Sequence, residues 1–329
     1  MLFNSISFLI FFALFFTLYW LLRGRLRLLL CLTGSYFFYG WWDYRFLALL
    51  FASTIVDYCV GLGLGNEQSD RKRNGLLAIS LVSNLGILAT FKYFDFFADS
   101  LQHALAPLNV SLSWPTLNLV LPAGISFYTF QTLSYSIDVY RRQIEPQRDL
   151  LRFATYVCFF PQLVAGPIVR ATAFMPQLST DRRFTWSNFE SGFQRALQGF
   201  FKKLVVADSI APVADAMFVD GSGYSSLNVL IIVVLYAFQV YCDFSGYSDI
   251  AIGTARMLGF QLPENFRFPY LAISPADFWH RWHISLSTWL RDYVFIPLGG
   301  SRHGAFKTYR NLAVTMLLEA SGMVQVGTL

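Results

Sequence analysis

The stretch Val229-Leu-Ile-Ile-Val-Val-Leu-Tyr-Ala-Phe238 belongs to an apolar run over residues 226–251 that contains no lysine or arginine. About 20 consecutive apolar residues suffice for one helix to cross a bilayer. Further runs near this length lie at 6–22, 27–41, 46–64, 75–97, 116–138 and 152–169, of which the second and sixth are short. The pattern predicts an all-α, polytopic membrane protein with one transmembrane domain over residues 1–329.

Composition supports lipid as the solvent for much of this chain. Its 329 residues are 55% hydrophobic and only 14% charged, whereas soluble domains carry about 25% charged residues. The net charge of +5 is distributed in short clusters between the apolar runs, which argues against nucleic acid as a partner. The four cysteines are scattered through apolar runs, as expected for small buried side chains.

Basic residues predict the orientation of the chain in the membrane. Lysine and arginine cluster at 23–27, 71–73 and 141–152, whereas residues 98–115 contain neither. Loops on the cytoplasmic side carry an excess of positive charge. We therefore expect the first, third and fifth loops in the cytoplasm and the N-terminus outside.

Two aspartates lie in the last part of the run 226–251. Asp243 and Asp249 are six residues apart, so they do not share a helix face. Ionisable groups at membrane depth are functional candidates, and Asp243 could orient a catalytic imidazole or bind a substrate hydroxyl. The alternative is a helix end near the interface, where aspartate and serine cap the helix and water is present.

The segment Ser274–Val294 contains two histidines, His280 and His283. Ser274 is a suitable N-cap and Pro275 suits the first helical position, so we expect one helix over about 275–295. On such a helix His283 lies on the apolar face beside Trp279 and Leu290.

A desolvated imidazole stays neutral and can act as a general base; the alternative for His283 is a core histidine bonded to a backbone carbonyl. His280 falls on the polar face and is expected in solvent. The pair offers too few ligands for a metal.

Upstream, Phe189–Val206 has apolar residues at helical spacing and ends with Lys202-Lys203, which predicts an interfacial helix or a short tilted span.

Four strings together resemble one family. They are Leu121-Pro-Ala-Gly-Ile-Ser-Phe-Tyr-Thr-Phe130, Phe160-Pro-Gln-Leu-Val-Ala-Gly-Pro-Ile168, Gln239–Gly253 with the later Asn265-Phe266, and Phe278-Trp-His-Arg-Trp-His-Ile-Ser-Leu-Ser-Thr-Trp-Leu-Arg-Asp-Tyr293. Together they look like the membrane-bound O-acyltransferases, in the bacterial branch that contains alginate O-acetylases and the D-alanyl transferases of teichoic acid. The last string looks closer to the alginate O-acetylases.

The resemblance implies a helical bundle with a central tunnel in the bacterial inner membrane. It implies no bound cofactor: acetyl-CoA or an acylated carrier would donate an acetyl group from the cytoplasm as a substrate. The acceptor would be an exopolysaccharide, such as alginate, or a carrier, and periplasmic acetyltransferases would be partners. His283 matches the family's first histidine and Asp243 matches a family aspartate, while His280 stands where relatives often carry arginine.

The C-terminus departs from the family pattern. After a stretch matching Arg310–Leu318 the family has Gly-Gly-Leu-Trp-His-Gly, whose histidine is catalytic, but here no histidine follows His303. Codons for Leu318–Gly327 can be chosen so that reading two bases later gives Gly-Gly-Leu-Trp-His-Gly. We therefore expect residues 319–329 to be a frameshifted reading of the motif, with the C-terminal helices missing and the chain as printed inactive.

Other functions remain open on the sequence alone. A multi-pass transporter or flippase would also use intramembrane aspartate and histidine, although transporters often show internal repeats, which this sequence lacks. A non-catalytic scaffold of a polysaccharide-modification complex is a second alternative. Within the family, transfer of D-alanine is the alternative to transfer of acetyl.

Overall fold

The computed structural model describes residues 1–105, 122, 124–164, 166–219 and 223–323. These residues form helices and connecting segments, with no strand among them, which confirms the all-α prediction. The helices are α1 (Ile6–Leu21), α2 (Gly24–Gly40), α3 (Leu47–Asn66), α4 (Asp70–Leu105), α5 (Ile125–Tyr140), α6 (Leu150–Cys158), α7 (Phe160–Leu163), α8 (Ala171–Ser179), α9 (Trp186–Phe200), α10 (Asp208–Val219), α11 (Ser226–Met257), α12 (Pro275–Arg281), α13 (Ile284–Leu290) and α14 (Ala305–Met323).

Within the described ranges, three helical segments are long and apolar enough to cross a membrane: Tyr44–Asn66, Asp70–Phe94 and Ser226–Met257. They correspond to the predicted spans at 46–64, 75–97 and 226–251. The predicted spans at 6–22 and 27–41 are the helices α1 and α2, which have 16 and 17 residues. Much of the first third of the predicted span 116–138 lies outside the described residues, and α5 begins at Ile125.

The predicted span 152–169 is not one helix. The helix α6 ends at Cys158, the four-residue helix α7 follows, and residues 167–170 are irregular. Pro161 explains the break, because it has no N–H to donate to the carbonyl four residues earlier and is tolerated only in the first turn of a new helix. A hydrophobic run with an internal proline therefore does not predict one continuous helix.

The chain divides into two compact units, which are described separately: Met1–Tyr44 with Ala154–Thr288, and Arg45–Phe153 with Trp289–Leu329. The prediction of a single domain over residues 1–329 stays a prediction.

In the first unit, α9 packs closely against α11 through facing glycines. A Cβ added to Gly199 would lie 2.6 Å from the carbonyl oxygen of Gly246, and one added to Gly192 would lie 2.7 Å from that of Gly253. Small residues let two helix backbones approach closely. The predicted helix at 189–206 is thus present as α9 followed by a π-helical segment, Phe201–Ala207, and its charged side chains are brought directly against α11.

In the second unit, α3, α4 and α5 share a buried polar network centred on Asp57. The carboxylate is fully buried and accepts hydrogen bonds from the Ser80 hydroxyl at 2.5 Å, the Ser136 hydroxyl at 2.8 Å and the Asn84 amide at 2.7 Å. In lipid a polar side chain is stable only where protein groups satisfy it. The network therefore fixes how these three helices face one another.

Candidate active site

The predicted helix over 275–295 is interrupted at His283. Helix α12 ends at Arg281, α13 begins at Ile284, and a π-helical segment follows over Arg291–Phe295. The start is as expected, since the Ser274 hydroxyl accepts a hydrogen bond from the Asp277 N–H at 3.1 Å. The prediction of one continuous helix was wrong because His283 has φ +41°, in the left-handed region.

Two backbone hydrogen bonds with a neighbouring segment stabilise this interruption. The Arg267 N–H donates to the Arg281 carbonyl and the Ile284 N–H donates to the Asn265 carbonyl, each at 2.9 Å. A left-handed conformation costs an ordinary residue about 1–2 kcal/mol. The segment that contains Asn265 therefore stabilises a backbone geometry that local helix propensity opposes.

The interruption changes the surroundings predicted for His283. Its ring lies 4.7 Å from the Phe244 ring, edge to face, and 6.3 Å from the Phe266 ring, nearly parallel. Neither neighbour follows from helical spacing, because Phe244 is on α11 and Phe266 is in the connection before α12. The grouping with Trp279 and Leu290 assumed an unbroken helix, and that assumption fails.

The two histidines differ in burial. His283 is fully buried, and burial lowers its pKa well below that of an ordinary histidine, because desolvation penalises the charged form. Its imidazole is therefore neutral at pH 7, a state that can accept a proton or donate its single N–H. His280 is exposed.

Asp243 lies inside α11 rather than at a helix end, and its carboxylate pairs with a lysine. The Lys203 Nζ atom lies 2.5 Å from Asp243 Oδ1 and 2.9 Å from Asp208 Oδ1. Among the residues that the structure describes, Asp243 makes no hydrogen bond to His283. The link between them runs through the next residue, Phe244, whose ring packs on the imidazole. The expectation that Asp243 directly orients an imidazole is therefore not what this geometry shows for His283.

Asp249 belongs to a second ion-pair cluster that sequence reasoning missed. It is buried and pairs with Arg195 at 2.7 Å and Lys202 at 2.6 Å, while Arg195 also reaches Glu264 at 2.5 Å. The signal was present in outline, since two aspartates six residues apart and two adjacent lysines were visible. Their partners could not be read from either helix alone, because the pairing depends on the close approach of α9 to α11.

The described part of the chain contains no group of three His, Cys, Asp or Glu side chains able to hold a metal ion. Its candidate site consists instead of a neutral imidazole, aromatic rings and paired charges.

A helical chain with membrane-spanning segments and a buried histidine at a helix interruption defines an integral membrane protein with a candidate active site in its interior. The chain belongs to the membrane-bound O-acyltransferase family, whose family model matches residues 100–320.

Several curated proteins are similar to it. A protein named "Probable alginate O-acetylase AlgI" from Azotobacter vinelandii is 45% identical over 97% of this chain and 64% of its own length. Its namesake from Pseudomonas putida is 44% identical over 97% of this chain and 65% of its own length. The peptidoglycan O-acetyltransferase of Helicobacter pylori is 36% identical over 87% of this chain and 58% of its own length.

The chain thus spans less than two thirds of the length of these relatives. The expectation that residues 319–329 are a frameshifted motif stays a prediction, and residues 324–329 lie outside the described part. The nucleotide sequence near codon 318 tests it: an alternative frame that encodes Trp-His-Gly is expected there, and its absence would remove the idea.

Proposed function

We propose that this protein takes part in O-acetylation of an exopolysaccharide, with alginate as the first candidate. The support is its family and the names of its relatives, which describe a probable alginate O-acetylase and a peptidoglycan O-acetyltransferase. An acetyl group would move from a cytoplasmic thioester, acetyl-CoA or an acylated carrier, to a hydroxyl on the outer side of the inner membrane. Lipid surrounds the spans, and periplasmic acetyltransferases are the proposed partners.

The observation that carries this proposal is the neutral, fully buried imidazole of His283 at the interruption between α12 and α13. In acetyl transfer the acceptor oxygen attacks the thioester carbonyl, a new C–O bond forms, and the C–S bond breaks. The hydroxyl proton passes to a base and then to the leaving thiolate. A base in position contributes about 10² to 10⁴ in rate, and a dry site strengthens every dipole that stabilises the oxyanion.

His283 is proposed to polarise the thioester carbonyl or to assist this proton transfer. Asp243 is proposed to act on His283 only indirectly. Its ion pair with Lys203 fixes the turn of α11 that carries Phe244, and the Phe244 ring contacts the imidazole. The family resemblance implies a second histidine as the base on the acceptor hydroxyl.

The test uses a bacterium that makes alginate but lacks its own O-acetylase of this family. Residues 1–318 are continued by the matching C-terminal segment of the Azotobacter vinelandii relative, and ester-linked acetyl on the polymer is measured. We expect the hybrid to restore acetylation and the His283→Ala hybrid to lose at least about 99% of it, the loss typical of a general acid–base residue.

His280→Ala is the matched control, because it removes an exposed histidine only three residues away and is expected to leave acetylation unchanged. Full activity in the His283→Ala hybrid would refute the proposed role. Labelled D-alanine on the acceptor in place of acetyl would move the chain to the other branch of the family. Movement of unmodified solute would favour the transporter. Partner binding without acetyl transfer would favour the scaffold.

A further inference from the structure

Asn265 lies at the meeting point of three of the strings that first suggested the family. It is fully buried, in the irregular segment between α11 and α12. Its backbone carbonyl and both ends of its side-chain amide are engaged by groups from different elements. A buried amide whose polar groups are hydrogen-bonded makes the elements that it joins more rigid.

The contacts of Asn265 converge on the first residues of α13. The carbonyl oxygen accepts from the Ile284 N–H at 2.9 Å. The side-chain oxygen Oδ1 accepts from the Ser285 hydroxyl at 2.7 Å and from the Ser285 N–H at 3.3 Å. Asn265 therefore satisfies the N–H groups of the two residues that follow His283, which are groups left without helical partners at the start of α13.

The other side of the amide connects this turn to α11 and to the irregular segment after α7. Asn265 Nδ2 donates to the Ser248 hydroxyl at 3.1 Å, one helix turn after Phe244. The Ser285 hydroxyl in turn accepts from the Ile168 N–H at 3.0 Å. The next residue after Asn265 is Phe266, whose ring lies nearly parallel to the imidazole.

We propose that Asn265 is the positioning residue for His283, holding the left-handed turn that fixes the imidazole between Phe244 and Phe266. The proposal rests on the proposed function insofar as His283 acts on substrate. Asn265 itself is buried behind the turn and acts through it. Its predicted effect is on the position of the ring.

The test is a spectroscopic one on the full chain in lipid nanodiscs, and it does not depend on turnover. The four histidines are labelled with ¹³C at the ring carbon Cε1, and the His283→Asn variant identifies the His283 signal by its disappearance. In the unaltered protein we expect His283 to give one narrow signal at pH 7. The ring currents of Phe244 and Phe266 displace this signal from the position of free histidine.

In Asn265→Ala we expect the His283 signal to broaden or split and to move toward the free-histidine position, while the other three histidine signals stay unchanged. Ser285→Ala removes one partner of the same amide and is expected to give a smaller change of the same kind. It replaces Asn265→Ala as the test if that variant does not fold.

Asn84→Ala is the matched control, since Asn84 is a buried, hydrogen-bonded asparagine in the other unit. It is expected to lower the melting temperature without changing the His283 signal. An unchanged His283 signal in Asn265→Ala, or an equal change in Asn84→Ala, would overturn the proposal. A displaced ring in Asn265→Ala together with full acetylation by the His283→Ala hybrid would leave the positioning role intact and remove the catalytic one.

Discussion

At the scale of single residues, the burial of His283 makes the protein sensitive to acid in a calculable way. An unfolded chain protonates this histidine below about pH 6.5, whereas the folded protein, with its lowered pKa, does not. The contribution of the neutral His283 to the free energy of unfolding is therefore present above about pH 6.5. It is lost as the pH decreases, by about 2 kcal/mol between pH 6.5 and 5.

His283→Asn removes this titration and suits the backbone, because asparagine tolerates positive φ better than most residues. We expect its melting temperature in detergent to change less between pH 8 and pH 5 than that of the parent protein. The exposed His280, replaced by asparagine, is the control and is expected to keep the parent's dependence. Equal acid sensitivity in the parent and in His283→Asn would contradict the expectation.

At the scale of helices, the close contact of α9 with α11 depends on two pairs of facing glycines, Gly199 with Gly246 and Gly192 with Gly253. Gly199→Ala would bring a methyl group to 2.6 Å from the Gly246 carbonyl oxygen and 2.7 Å from the Ile250 nitrogen, both backbone atoms. Overpacking of this kind destabilises by about 1–3 kcal/mol, so we expect a lower melting temperature. Gly86→Ala on α4 is the control, because nothing lies within 4 Å of its added Cβ; a decrease of equal size there would show that space is not the cause.

Sequence patterns predicted the elements better than the contacts between them. Apolar runs and caps located α3, α4, α11 and the start of α12, because these depend on residues close together in the chain. The turn at His283 depends on backbone hydrogen bonds with Asn265 and Arg267, which lie more than ten residues earlier in the chain. Helical periodicity cannot predict such contacts. The same holds for the partner of Asp243, since Lys203 reaches it only where two helix backbones nearly touch.

At the scale of the whole molecule, the structure refines the charge pattern that predicted its orientation. Arg71 and Lys72 are exposed, but Arg73 is buried and donates to the carbonyl oxygens of Leu64 and Tyr140. That arginine satisfies helix-end carbonyls and is not available to lipid headgroups. The orientation argument for this loop therefore rests on two basic residues rather than three, each worth about 1 kcal/mol near an anionic leaflet.

The two ends of the span Tyr44–Asn66 provide a test of that orientation. Tyr44 has 76% of its surface exposed at one end, and Ser69 is exposed just beyond the other. Because the first, third and fifth loops carry the basic clusters, we expect Tyr44→Cys to react with a charged maleimide in intact cells and Ser69→Cys only after lysis. Three native cysteines are buried, and Cys59→Ser in both variants removes the exposed fourth as a source of background. The opposite labelling pattern would invert the proposed topology, and with it the side from which the proposed acetyl donor would enter.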